Sequence, residues 1–240
     1  MIDWHSHILP QMDDGSRSPD ESIAMIEALK RQGVDTVIAT PHFYANEETV
    51  ESFLIRREKS YDLLRSKTQN DIRILRGAEV RYYPGISRMD GLEKLSIENT
   101  KLLLLEMPFA KWTDYTISEL LDISNTRRIK VVLAHIERYI AFQDRHLIEK
   151  LIENGILMQV NASFFIRLLT KQKAIKLLGM GCIHFIGSDC HNMTSRPPKI
   201  DLAIQLIQKK LGEDFTAQMN EYGYQVLERN LQKNIHKGDY

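Results

Sequence analysis

Cysteine is scarce in this sequence. Only Cys182 and Cys190 occur, which excludes a disulfide framework and any all-cysteine zinc site, so a bound metal has to be held by His, Asp and Glu. Net charge is also lacking, because 32 Lys and Arg balance 32 Asp and Glu. A surface able to neutralise several phosphates would show in that balance, so no nucleic-acid partner is expected. No run of about 18 apolar residues occurs, and Met1-Ile2-Asp3-Trp4-His5 lacks the basic-then-apolar start of a secretory signal. The expectation is a cytoplasmic protein without stable membrane insertion. What is present is 240 residues, 43% of them hydrophobic, enough to bury a good core. With no linker or break in composition, a single domain over residues 1–240 is expected.

Helical and strand signals alternate along the chain. Ser18 can cap a helix whose first turn holds Pro19 and a capping-box Glu21; Ile23, Ile26 and Leu29 repeat at helical spacing, and Gly33 ends it. Residues 34–40 are β-branched and apolar, and too short for a helix. Further helices are expected at about 47–68, 115–127, 144–153 and 171–178, with two more closing the chain. Strands are expected at 2–5, 34–40, 72–80, 102–105, 131–134, 156–160 and 183–186. Seven strands mostly separated by helices are the pattern of a parallel sheet built from βαβ units, in one closed or nearly closed barrel. An open doubly wound sheet is the alternative.

The chemistry-bearing residues share one topological address. His5 and His7 follow the first strand and His42 the second; Glu79 ends the third, Glu106 the fourth and His135 the fifth. Asn161 ends the sixth, and Asp189 and His191 the seventh. In a parallel barrel these strand ends meet at the carboxyl-terminal mouth, where active sites are built. Both His5-x-His7 and Asp189-x-His191 use the strand period of two, which turns each pair to one side of the backbone. Mixed imidazole and carboxylate donors suit manganese, iron or zinc better than magnesium or calcium. The set exceeds the needs of one ion, which implies two or three, with a carboxylate such as Glu79 bridging.

A lone histidine at a strand end is more often a hydrogen-bonded structural residue than a ligand, but five of the eight histidines gathered at one end are hard to explain that way. His146, on a helix, and His236, in the tail, keep the structural reading, and His184 is open. Asp13 and Asp14 compete for one ligand position; Asp14, directly before Gly15, is preferred. Tyr82, Tyr83, Phe109, Trp112 and Phe165 are either an aromatic rim or, more commonly, packing.

His5-x-His7, Asp14-Gly15, Thr40-Pro41-His42, Gly77-x-Glu79, His135-x-Glu137-Arg138 and Ser188-Asp189-x-His191 together resemble the successive motifs of the PHP (polymerase and histidinol phosphatase) superfamily. More narrowly, Met1–His7 with Leu9-Pro10, Asp13-Asp14-Gly15 and residues 38–42 resemble the bacterial manganese-dependent protein tyrosine phosphatases encoded with capsule or exopolysaccharide genes. The resemblance implies a distorted (β/α)7 TIM-like barrel, the PHP fold. It also implies three Mn²⁺ sites: His5, His7, Glu79 and Asp189; Glu79, Glu106 and His135; Asp14, His42 and His191. One departure is Ile136, where the family usually has proline. The implied activity is hydrolysis of phosphotyrosine by a metal-bridging hydroxide, on a bacterial tyrosine kinase that regulates exopolysaccharide synthesis. Arg138 and Arg196 are placed to hold the phosphoryl oxygens. A histidinol-phosphate-type phosphatase and a metal-dependent amidohydrolase are the enzymatic rivals; for the latter, the fourth strand commonly offers a lysine where this chain has Glu106. Residues 190–196 also spell C-x5-R, the spacing of cysteine-dependent tyrosine phosphatases. The adjacent Asp189 and a loop without glycine argue against a reactive thiolate there.

Overall fold

Capped helices and short apolar strands alternate through the chain as the sequence signals require. In the computed structural model, which describes residues 1–68 and 72–231, the first half runs β1 (Ile2–Ser6), α1 (Pro19–Arg31), β2 (Thr36–Ala39), β3 (His42–Phe43), α2 (Val50–Arg65), β4 (Arg73–Arg76), β5 (Glu79–Arg81) and β6 (Leu102–Glu106). The second half runs α3 (Asp114–Asn125), β7 (Lys130–Leu133), α4 (Ile136–Tyr139), α5 (Arg145–Glu153), β8 (Leu157–Asn161), α6 (Ala162–Ile166), α7 (Lys171–Gly179), β9 (Phe185–Gly187), α8 (Ile200–Leu211) and α9 (Glu213–Asn230). Ser18 caps α1 by accepting the Glu21 N–H at 3.2 Å, while the Glu21 carboxylate reaches back to the N–H of Arg17 rather than of Ser18. The second helix starts later than expected because Thr49 caps it, and it ends earlier, at Arg65.

Every strand pairing among the described residues is parallel, in the orders β1-β2-β4 and β3-β5-β6-β7-β8-β9. The result is a mixed α/β fold with a curled parallel sheet, and β9 returns beside β1 through Asp189 N–H to His5 O (2.8 Å) and His7 N–H to Cys190 O (2.9 Å). One expected strand is followed at once by a further strand beyond its end, and another is broken. The run 34–40 gives way at Pro41, which has no N–H for a ladder, and restarts as β3. The run 72–80 breaks after Arg76 and restarts at Glu79. Thus β2 and β4 pair in one sheet, and β3 and β5 in the other.

Strand alternation sorts side chains between two cores. Leu103, Leu105, Val131 and Leu133 lie under the helices with Met25, Leu29, Leu120 and Leu151. Leu102, Leu104, Val132, Leu157 and Phe185 point to the concave face, where Trp4, Ile38 and Leu75 meet them and Val226 and Leu227 of α9 close the cluster. Trp4 stacks on Phe185 with ring centroids 3.7 Å apart. Continuing the inward parity past this apolar plug reaches Glu106, Gln159, Asn161, Glu79 and Asp189. In β1 the register shifts between Asp3 and Ser6 against β2. Such a bulge changes which residues face inward, so Trp4 joins the plug while His5 and His7 join the polar layer.

Candidate metal centre

The nine residues expected to bind metal are brought together above that plug. His5, His7 and Glu79 are fully buried, and Glu106, His135, Asp189 and His191 nearly so. His42 is partly covered, and Asp14 is the exposed member, its side chain 65% accessible. His5 Nε2 lies 3.1 Å from His7 Nε2, 3.2 Å from Glu79 Oε2 and 3.8 Å from Asp189 Oδ1. The other Glu79 oxygen is 2.7 Å from His135 Nε2. Asp14 Oδ1 stands 3.4 Å from His42 Nε2 and 3.3 Å from His191 Nε2. Donor atoms close enough to share an ion occur in four groups: His7, Asp14, His42 and His191; His5, His135 and Asp189; His5, His7 and Glu79; Glu79, Glu106 and His135.

The imidazoles are turned toward the centre by what holds their far nitrogens. Nδ1 of His7 meets Asp13 Oδ2 at 2.7 Å, Nδ1 of His135 meets Asn161 Oδ1 at 2.9 Å, and Nδ1 of His191 meets the Asp189 carbonyl at 3.0 Å. His5 Nδ1 faces Gln159 Oε1 at 3.4 Å. Each Nε2 is thereby left toward the cluster, the arrangement by which outer partners orient ligating histidines. Asp13 also accepts the N–H groups of His42 and Gly15, each at 2.9 Å. Of the competing pair, Asp13 therefore supports the site and Asp14 faces it. Two glycines permit the closeness: a Cβ on Gly187 would lie 2.5 Å from His5 Cβ, and one on Gly15 the same distance from His7 Cβ.

Sequence reasoning does not reach Gln159, although it sits at inward parity two residues before Asn161. Nor does it reach Asp3, which accepts the N–H (2.7 Å) and hydroxyl (2.6 Å) of Ser188 and so ties β1 to the Asp189 loop. Burial pushes the Asp3 carboxyl up to about 7 against those bonds.

The electrostatics describe a pocket that wants positive charge. Burial alone would raise Glu79 and Asp189, yet the surrounding histidines hold both carboxylates well below the usual range. Burial would likewise lower His7, but Asp13 outweighs it and keeps the imidazole well above its ordinary value. A proton there occupies the place a cation can take. Burial lowers His5, and with the help of His7 it brings His191 down to about 4, leaving neutral nitrogens able to coordinate. His191 Nε2 and His42 Nδ1 are buried without hydrogen-bond partners, the latter 2.9 Å from Glu79 Oε2 but out of line. Orphaned nitrogens converging with ionised carboxylates fit divalent cations.

Both candidate arginines reach this pocket. Arg196 lies 2.7 Å and Arg138 3.4 Å from the same oxygen of Asp189, and Arg138 is also 3.8 Å from Glu106. Arg138 is reached through the left-handed backbone of His135, which starts α4 at once, so Ile136 in place of proline leaves the turn intact. Cys190 is fully buried, its thiol pushed up by burial, and the Asn192 side chain accepts the amides of Thr194, Ser195 and Arg196, so the C-x5-R loop has no free cradle. His146 is 91% exposed beside Glu149. His184 instead accepts the Met158 N–H at 3.1 Å, away from the cluster, and His236 lies outside the described residues. Of the aromatic candidates Tyr82, Trp112 and Phe165 are buried packing; Phe109, 45% exposed with Arg138 over its ring, and Tyr83 remain accessible.

The family described as "Capsular polysaccharide synthesis, CpsB/CapC" matches residues 1–227. The chain belongs to this family. It is similar to the tyrosine-protein phosphatase YwqE of Bacillus subtilis (strain 168), 32% identical over 241 residues, covering 96% of this chain and 92% of the relative. Among solved structures it resembles those of YwqE from Bacillus subtilis and CpsB from Streptococcus pneumoniae, described as unique metal-dependent tyrosine phosphatases, with a TM-score of 0.77, 28% identity, and 96% and 95% of the two chains covered. Histidinol phosphate phosphatase from Lactococcus lactis shares the fold of this CpsB/CapC member at a TM-score of 0.57 and 15% identity, over 87% and 92% of the chains.

Proposed function

We propose that this chain is a metal-dependent protein-tyrosine phosphatase acting on a bacterial tyrosine kinase of capsule or exopolysaccharide synthesis, in the cytoplasm. The observation that carries it is the convergence of nine donors, all but Asp14 buried or half-buried, with two guanidinium groups, in a family with relatives named tyrosine-protein phosphatases. The two sheets are read as one distorted (β/α)7 barrel in which the second and third strand positions are each split. Among the described residues no helix is long and apolar enough to cross a membrane.

The site fits Mn²⁺, with Fe or Zn as the other candidates for the same donors. His5, His7, Glu79 and Asp189 would hold one ion; Glu79, Glu106 and His135 a second; Asp14, His42 and His191 a third. Bound ions supply a water acidic enough to ionise near neutral pH and positive charge facing the phosphoryl group. The chain does the rest. Arg138 and Arg196 bind the non-bridging oxygens and offset charge that grows during transfer. Asp13, Gln159 and Asn161 fix the imidazoles before substrate arrives, so no reorganisation is needed during the reaction.

Turnover of a tyrosine-phosphorylated peptide against that of free histidinol phosphate tests this reading. A higher kcat/KM for the peptide is expected. The reverse preference would make the chain a small-molecule phosphatase on the same scaffold.

A further inference from the structure

A cavity of about 510 Å³ opens from the metal centre toward α6 and α8, within the size range of ligand sites of roughly 300–1,000 Å³. Its inner end is Asp189 with Arg138 and Arg196; its outer wall carries Arg167 and Lys199. Among the described residues neither Arg167 nor Lys199 has an ion pair or a side-chain hydrogen bond, and both are exposed. Among the described residues the only other carboxylate lining this space is Glu137, which is turned inward and accepts the Asn161 N–H at 3.3 Å. On the Asp14 side of the metal centre, where Asp14 lies 3.8 Å from Arg196, the sign is the other one. There a smaller cavity is bordered by Asp13, Asp14, Glu47 and Glu48, with Arg56 already paired to Glu48 at 2.6 Å.

We propose that Arg167 and Lys199 form a recognition subsite for a second anionic group, an acidic side chain or a second phosphate, on the polypeptide that carries the phosphotyrosine. The proposal rests on the phosphatase reading above. A phosphoryl group held by Arg138 and Arg196 sits at the inner end of the cavity, and the residues flanking the phosphotyrosine extend along it. The two cations attract an anionic flank, while the acidic cavity on the Asp14 side repels it. Because both cations are solvated rim charges, they act on capture of the substrate more than on chemistry, and salt weakens them.

The experiment measures kcat/KM of the Mn²⁺-loaded full chain on four substrates: p-nitrophenyl phosphate, and phosphotyrosine peptides with neutral, acidic or additionally phosphorylated flanks. The wild type is expected to favour the anionic peptides over the neutral one by about fivefold at low ionic strength, the scale of two exposed ion pairs. The Arg167→Ala/Lys199→Ala double variant should lose that preference, and Arg167→Glu/Lys199→Glu should invert it. Turnover of p-nitrophenyl phosphate should stay within about twofold, which also reports that the variants fold. A preference confined to the doubly phosphorylated peptide identifies phosphate as the anion, and one shared by the acidic peptide identifies charge alone. An unchanged preference in the double variant overturns the subsite while leaving the phosphatase reading intact. A wild type that cleaves p-nitrophenyl phosphate but none of the peptides overturns both.

Discussion

The concave face of the sheet is two regions made by one strand alternation. Toward the amino ends Trp4, Ile38, Leu75, Leu102, Leu104 and Phe185 form an apolar plug. Toward the carboxyl ends the same parity delivers Glu79, Glu106, Gln159, Asn161 and Asp189, joined by His5 and His7 after the β1 bulge. The lower region is held by area removed from water, with each large side chain contributing about 1.5–3 kcal/mol. The upper region buries ionisable groups at a desolvation cost that mutual pairing offsets and that cations, once bound, would offset further. Stability is therefore concentrated below and chemistry above, and substitutions in the two regions should fail in different ways.

The largest expected effect lies above. Glu79→Ala or His5→Ala should lower kcat on an aryl phosphate by on the order of 10²-fold or more, because nucleophile generation and charge stabilisation go together. Denaturant unfolding of the same variants should show no loss that matches. A comparable collapse of stability would erase the division between the regions.

Below, Trp4→Ala removes the ring stacked on Phe185 and packed against Gly223 of α9. It should cost about 3–5 kcal/mol of unfolding free energy, while kcat per folded, metal-loaded molecule changes little.

His184 sharpens the contrast by pH. Burial, with Lys130 nearby, brings it down to about 4, and its acceptor bond from Met158 favours the neutral ring. The unfolded chain takes up the proton near the ordinary value of 6.5 and the folded chain does not until about 4, so stability is lost as pH falls between them. By linkage this amounts to roughly 2–3 kcal/mol at pH 4. His184→Gln should flatten the stability curve in that window, and an unaltered curve would remove His184 as a cause.

The smallest effects fall on decoys. Cys190→Ser should keep most activity, since the thiol is buried in the helix-side core and the loop amides are taken by Asn192. His146→Ala should be silent. Loss of turnover in Cys190→Ser with metal content unchanged would move the chemistry to the cysteine.

Much of this division is legible in the sequence. All the ligand candidates but Asp14 are found because they follow the end of an apolar run, where periodicity and spacing give the address, and Asp14, in the loop after β1, is preferred to Asp13 for its position before Gly15. What the sequence hides depends on distant contacts. Asp3 meets Ser188 across 185 residues and His5 meets Gln159 across 154. Local pattern carries neither pairing. The split of the second strand has a local cause in Pro41, but its consequence, assignment of β2 and β3 to different sheets, is set by which neighbours they find. The short helices α4 and α6 follow directly on His135 and Asn161, where five residues or fewer are too little to show a helical period.

The most direct test of the central claim is the metal content and the aryl-phosphatase activity of one preparation before and after chelation. Two or three ions per chain should be lost together with activity, and Mn²⁺ should restore turnover better than Mg²⁺, because imidazole donors disfavour the harder ion. Full activity in metal-stripped protein would contradict the account.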